Sequence, residues 1–382
     1  MLYKWAKPLL LVLAGVMMHG LSPAALANTT VVEQVANDIG DDHIPLASIA
    51  LLLPTRSGPL GSAAEALRSG FLAAYERDKS GLAVTVIEAT DTPADMLAAY
   101  LAASPHYDIL VGPLSRTGMT AIVKNGQITK PTVALTQPDL SAAEETRLPP
   151  LLLPIGLSIE AEARQVADWI GVEQGPGKVF VIATAASWQR RVVSAFVQQA
   201  ASAGLVTEVM TISMTQGVAN AGAMDQLNQR IQTENPRAIF VALTADQASQ
   251  VRTSVGPETT MYGISQLNSL NGGDSKRLAE LSGVRLLDIP WLLTPENPAI
   301  RLYPRRVASE GGAHNADLER LYALGIDAFN VSRQIAKRNI AFQLRGVTGQ
   351  LNIGFGVGTP AFERTEPTAA YQDGVVVPLE DR

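Results

Sequence analysis

Residues 48–75, SIALLLPTRSGPLGSAAEALRSGFLAAY, leave few options for the chain around them. Ile49 to Leu53 is an unbroken apolar run stopped by Pro54. A run of that length before a turn is the pattern of a strand buried in a parallel sheet. Thr55, Ser57, Gly58 and Gly61 follow as a loop of small residues rich in backbone donors. Ala63, Leu67, Phe71 and Ala74 then recur at spacings of three and four, which predicts a helix. Strand, small-residue loop and helix make the first βα unit of an open α/β sheet. Ligands of such sheets gather outside the carboxyl ends of the strands.

The unit repeats along the chain. Strands are expected at 82–89, 108–111 and 131–135, with helices at 95–103 and 117–124 between them. Thr92 and Pro93 form a helix-start pair. Pro149, Pro150 and Pro154 punctuate an apolar run that suits a crossing between lobes. A second series follows, with strands at 178–183, 206–212, 237–243, 260–264 and 284–289 and helices between them. Residues 318–337 form one long apolar-faced helix, and the Gly-rich tail from Phe342 holds short β-like runs. Alternation at this pitch implies parallel sheets with right-handed crossovers. The expected architecture is α/β, with two Rossmann-like lobes.

At 382 residues the chain outgrows one ordinary core, and at 47% hydrophobic and 17% charged it is globular. Its net charge of −6, without a Lys/Arg run, argues against nucleic acid. It has no cysteine, so disulfides, thiol catalysis and a lipid anchor on an N-terminal cysteine are not expected. Lys4 and Lys7, the apolar Leu9 to Met18 and Ala25-Leu26-Ala27 read as a signal peptide cleaved after Ala27. Residues 28–43 read as a polar linker. No later stretch is apolar enough for a transmembrane span. The expected location is therefore the periplasm.

Several segments together resemble a known family. IALLLPTRSGPLGSAAEALRSGF at Ile49, ILVGPLSR at Ile109, DIPWLL at Asp288, RLYALGIDAF at Arg320, GVTGQL at Gly346 and YQDGVVVP at Tyr371 are similar to the C-terminal domain of the LppC/LpoA penicillin-binding-protein activators. The resemblance implies a type I periplasmic-binding-protein (Leu/Ile/Val-binding-protein-like) fold. It also implies a role in peptidoglycan synthesis through a class A penicillin-binding protein. Family members carry a lipobox cysteine and, in larger ones, an N-terminal helical repeat domain, neither of which is matched in these residues. The implied division is 44–156 plus 292–350 for the first lobe and 157–291 plus 351–382 for the second.

In amino-acid-binding relatives the strand-end loops hold a ligand's carboxylate and amine. The corresponding positions here are Ser57 and Gly58, Ser115 and Arg116, and Thr136 and Gln137; Ser187, Trp188, Ser265 and Gln266 face them. These residue types equally serve as turn formers and helix caps. Asp139 and Asp246 are the nearest acids for an ammonium group. Arg301, Arg305 and Arg306 form a candidate partner-facing basic patch, and Trp188 and Trp291 are candidate interface anchors. Catalytic signatures are lacking. His43, His106 and His314 lie far apart, and no Ser-x-x-Lys, G-x-S-x-G or H-E-x-x-H occurs. Gly354 to Gly358 opens no helix, so it is a poor nucleotide loop. A non-enzymatic protein without metal or cofactor is expected. The alternative is a periplasmic solute-binding protein for an amino acid or similar small polar ligand.

Overall fold

The computed structural model describes residues 32–34, 46–79, 81–140, 144, 147–269, 275–306, 315–356 and 358–380. The proposed signal peptide, His43 and His314 lie outside them. The first series runs β1 (Val32–Gln34), β2 (Ala47–Pro54), α1 (Gly61–Arg77), β3 (Leu82–Ala89), α2 (Pro93–Ala103), β4 (Ile109–Val111), α3 (Arg116–Asn125), β5 (Thr132–Ala134) and β6 (Leu152–Pro154). These strands form one sheet in the order β1-β3-β2-β4-β5-β6, parallel except for β1. The linker reading is corrected here, because Val32–Gln34 pair antiparallel with Thr85–Ile87.

β2 shows why its sequence lacks alternation. Ile49, Leu51 and Leu53 join the core on one face, and Ala50 and Leu52 join the core on the other. Helices cover both faces, so every residue of the run is buried.

The second series is α4 (Ile159–Gln174), β7 (Gly177–Ala183), α5 (Ser187–Ser202), β8 (Leu205–Thr211), β9 (Met214–Thr215), β10 (Val218–Ala219), α6 (Ala221–Glu234), β11 (Ala238–Ala242), α7 (Ala245–Val255), β12 (Met261–Gly263), a 3₁₀ turn at Ser265–Leu267, α8 (Ser275–Glu280) and β13 (Arg285–Leu287). The chain then returns through α9 (Pro290–Leu293), α10 (Pro298–Arg301) and α11 (Ala316–Ala336) to a meander of β14 (Ala341–Arg345), β15 (Gln350–Gly354) and β16 (Ala361–Thr365). It ends in β17 (Thr368–Gln372) and β18 (Val375–Pro378), which complete the second sheet, β18-β17-β13-β12-β11-β7-β8. The chain therefore crosses between lobes three times, near residues 154–158, 288–290 and 365–368.

The expected lobe boundary at residue 350 falls inside the meander. Leu351, Ile353 and Phe355 share the core of β2 and α11, so the first lobe continues to Thr365. The reason is packing: β15 points its buried side chains at the same helix that covers the first sheet.

α11 is long because it must span that sheet beside α1. The two helices touch backbone to backbone. A methyl group on Gly70 would overlap the Tyr322 carbonyl, and one on Gly325 the Leu67 carbonyl. Phe71 and Phe329 then meet edge to face, with centroids 5.4 Å apart. Gly325→Ala is expected to push the pair apart and cost about 1–3 kcal/mol. A urea titration checks this, and an unchanged midpoint would show that the helices have room to spare.

Candidate functional site

The strand-end residues do not converge as one ligand cradle. Ser115 is buried and caps α3, its Oγ accepting from Gly118 N–H at 3.2 Å. Ser265 is also buried; its N–H donates to Glu162 Oε2 at 2.8 Å and its carbonyl accepts from Arg320. Gly58 N–H donates to the Thr55 carbonyl at 3.1 Å, closing a turn with Ser57 exposed on it. Ser187, exposed at the first turn of α5, accepts from Arg190, and Trp188 leans on the α4–α5 core. Arg116 and Gln137 line a cavity of about 770 Å³ on the flank, between α4, α5 and β16. Gln266 lines a smaller one of about 210 Å³ between the second-lobe strand ends and the start of α11. Thr136 is half-buried and lines neither of these two.

The arginine trio does not form a patch. Arg305 Nη1 donates to the Trp291 carbonyl at 3.0 Å, and its guanidinium lies 4.1 Å from the centre of that ring. Arg306 Nε donates to Glu319 Oε1 at 3.0 Å, while Glu319 Oε2 accepts from Trp291 Nε1 at 2.9 Å. Arg301 and Arg305 are exposed, Arg301 with Glu296 at 3.9 Å, and Arg306 is half-buried. Trp291 is fully buried, so it is a core side chain and not an exposed interface anchor.

The strongest polar construction lies at the crossings. Asp288, fully buried, takes four donors: Ile289 N–H and Arg320 Nε on Oδ1, Asn268 Nδ2 and Arg320 Nη2 on Oδ2, at 2.7–3.0 Å. Arg320 Nη2 also reaches the carbonyls of Ser265 and Asn268. Arg320 stands on α11, in the first lobe, and everything it grips but Asp317 belongs to the second lobe or the crossing. Arg364 on β16 does the same for the first crossing, donating to the carbonyls of Ile155 and Gly156 and to Thr348 Oγ1. Gln165 clasps the third, donating to the Glu366 carbonyl at 2.7 Å and accepting from its N–H at 3.1 Å. Asp327 holds the turn after β14, accepting from Val347 N–H, Thr348 N–H and Thr348 Oγ1–H at 2.6–3.0 Å. A methyl on Gly346 would strike that carboxylate.

Sequence reasoning assigns no role to these side chains, although Asp288, Arg320 and Asp327 lie within the family-like segments. The available signal is clearest at Asp327, a charge between Ile326 and Ala328 in an otherwise apolar stretch of helix. A charge there must find a partner.

Two carboxylates join this cluster. Glu162 is pushed up to about 7, chiefly by burial. Glu366 is raised well above the usual carboxylate range, by burial first and by Glu162 next. One Glu366 oxygen is buried without a hydrogen-bond partner among the described residues. The folded chain thus keeps a proton at Glu162 that the unfolded chain loses above its ordinary value near 4.5. Stability is then full below that value and falls as pH rises toward 7, by roughly 1–3 kcal/mol. Urea midpoints at pH 5 and 7.5 measure the fall. Glu162→Gln is expected to flatten it, and an unflattened slope would assign it to other groups.

Residues 22–374 match the family described as "LppC putative lipoprotein". A penicillin-binding protein activator LpoA of Yersinia pseudotuberculosis is 26% identical over 444 residues, covering 94% of this chain and 64% of that relative. The chain thus spans less than two thirds of that relative's length. A LpoA (YraM) C-domain from Haemophilus influenzae, described as a regulator of PBP1A, superposes with a TM-score of 0.69 at 24% identity, over 87% of this chain and 100% of that one. A "putative branched-chain amino acid ABC transporter" from Chromobacterium violaceum superposes with a TM-score of 0.68 at 31% identity, over 85% and 99%. The fold is that of the type I periplasmic binding proteins. The match over nearly the whole chain places this protein in the LppC family.

Proposed function

We propose that the chain is a non-enzymatic periplasmic regulator of peptidoglycan synthesis that binds and activates a class A penicillin-binding protein. The observation that carries this reading is the family match across residues 22–374, with relatives named as penicillin-binding protein activators. The clamp on Arg320 supports it. A solute-capturing protein opens its lobes to admit ligand, whereas here a buried guanidinium on one lobe bonds two carbonyls of the other and Asp288 of the crossing between them. Such a tie suits a protein that presents a surface. Among the described residues no helix is long and apolar enough to cross a membrane. The test is capture of the chain from envelope extract with identification of what comes with it. A bifunctional penicillin-binding protein is the expected companion; its absence under gentle extraction would count against the reading.

A second reading, solute binding, is favoured by the likeness to the Chromobacterium protein and by the large flank cavity. On that reading the ligand enters a site open without lobe movement.

A further inference from the structure

The flank cavity has a charge pattern that the family match leaves unexplained. Its volume, about 770 Å³, lies within the range of ligand pockets, roughly 300–1,000 Å³. Four guanidinium groups and four carboxylates line it, in a protein whose net charge is −6. Most are already engaged. Arg191 Nε bonds Glu160 Oε1 at 2.8 Å, and Arg364 is spent on the crossing. Asp168 accepts from Gln199 at 2.8 Å and Glu363 from Asn352 at 3.3 Å.

Arg116 and Arg164 are different. Neither guanidinium makes a hydrogen bond or ion pair with the described residues, although Arg164 stands one turn along α4 from Glu160. Glu160 is already taken by Arg191 and accepts from Ser158 Oγ at 3.3 Å. Burial opposes its charge, but Arg191 and the nearby Arg116 hold it below the usual carboxylate range. One carboxylate stands free beside these cations. Asp139 is fixed against α3, its N–H donating to Thr120 Oγ1, which in turn donates to the Arg116 carbonyl, each at 2.8 Å. Its side chain has no partner among the described residues.

Two guanidinium groups and one carboxylate, exposed and without protein partners among the described residues, line one cavity and match a ligand with the inverse pattern. A simple inorganic anion would leave Asp139 unanswered. An apolar amino acid would leave a guanidinium unanswered. We infer that this cavity binds an acidic zwitterion, a short peptide bearing two carboxylates and one ammonium, with the carboxylates on Arg116 and Arg164 and the ammonium on Asp139. Arg116 and Asp139 come from the first lobe and Arg164 from the second, so the ligand bridges the lobes at their flank. A guanidinium holds a carboxylate through paired charge-assisted bonds, which fixes orientation as well as sign.

This inference rests on the solute-binding reading and not on the partner reading. The experiment is isothermal titration of the purified full chain with the dipeptide alanyl-glutamate, with alanyl-lysine and leucine as comparators. Alanyl-glutamate is expected to bind and alanyl-lysine not to. Arg116→Gln and Arg164→Gln are each expected to weaken it about tenfold with unchanged thermal unfolding, since both side chains are exposed. No heat from alanyl-glutamate up to ~10 mM would overturn the site, as would wild-type affinity in both variants. Leucine binding without alanyl-glutamate binding would overturn it while leaving solute binding in place. Silence from all three ligands would overturn both.

Discussion

Arg320→Ala is expected to destabilise the chain by about 3–5 kcal/mol, the range for removing one partner of a buried ion pair. The reason is what remains. Asp288 is fully buried, and without the guanidinium it keeps only Asn268 Nδ2 and Ile289 N–H against its charge. The carbonyls of Ser265 and Asn268 lose their guanidinium donor as well. Urea unfolding measures the loss. The paired change Arg320→Met with Asp288→Leu is expected to recover part of it, because an apolar pair carries no orphaned charge. A single-variant loss below about 1 kcal/mol would mean that water reaches Asp288 and that the clamp is weaker than its geometry.

Trp291→Ala is expected to cost a similar amount, about 3–5 kcal/mol. The ring is fully buried, packed against Tyr322 at 5.3 Å between centroids and covered by Arg305 at 4.1 Å. Its removal leaves a cavity and strips Glu319, itself buried, of one donor. Trp291→Phe separates the two contributions. It restores most of the volume but not the N–H, so its expected cost is about 1–3 kcal/mol. Equal costs for both variants would trace the loss to the missing hydrogen bond and leave packing with little share in it.

Both sites bear on what the sequence could disclose. The alternating series was legible because buried parallel strands read as unbroken apolar runs while amphipathic helices have a period, and the runs at Ile49, Val179 and Ile239 show the first plainly. The crossings were partly legible from their prolines. The meander was legible only as short β-like runs, since its outer strands alternate exposed and half-buried positions in a Gly-rich tail with no helix to mark their limits. The candidate ligand residues divided for a physical reason. Ser115 has the side chain of a helix cap and acts as one, so its position in a strand-end loop carried no information about ligands. Arg116, beside it, has no such duty and reaches the flank cavity. Arg305 and Arg306 looked like a surface patch because a run of cations in a polar segment usually is one. Their partners, Trp291 and Glu319, lie 13–14 residues away and meet them only through the fold.

The role proposed for this protein is regulation of a class A penicillin-binding protein without chemistry of its own. The most direct measurement is the rate of peptidoglycan synthesis by such an enzyme, purified from the same cell, with and without the chain. The expected result is a faster rate that saturates with added chain, and no turnover of the peptidoglycan precursor by the chain alone. An unchanged rate at saturating chain, or turnover of the precursor without the enzyme, would contradict the claim.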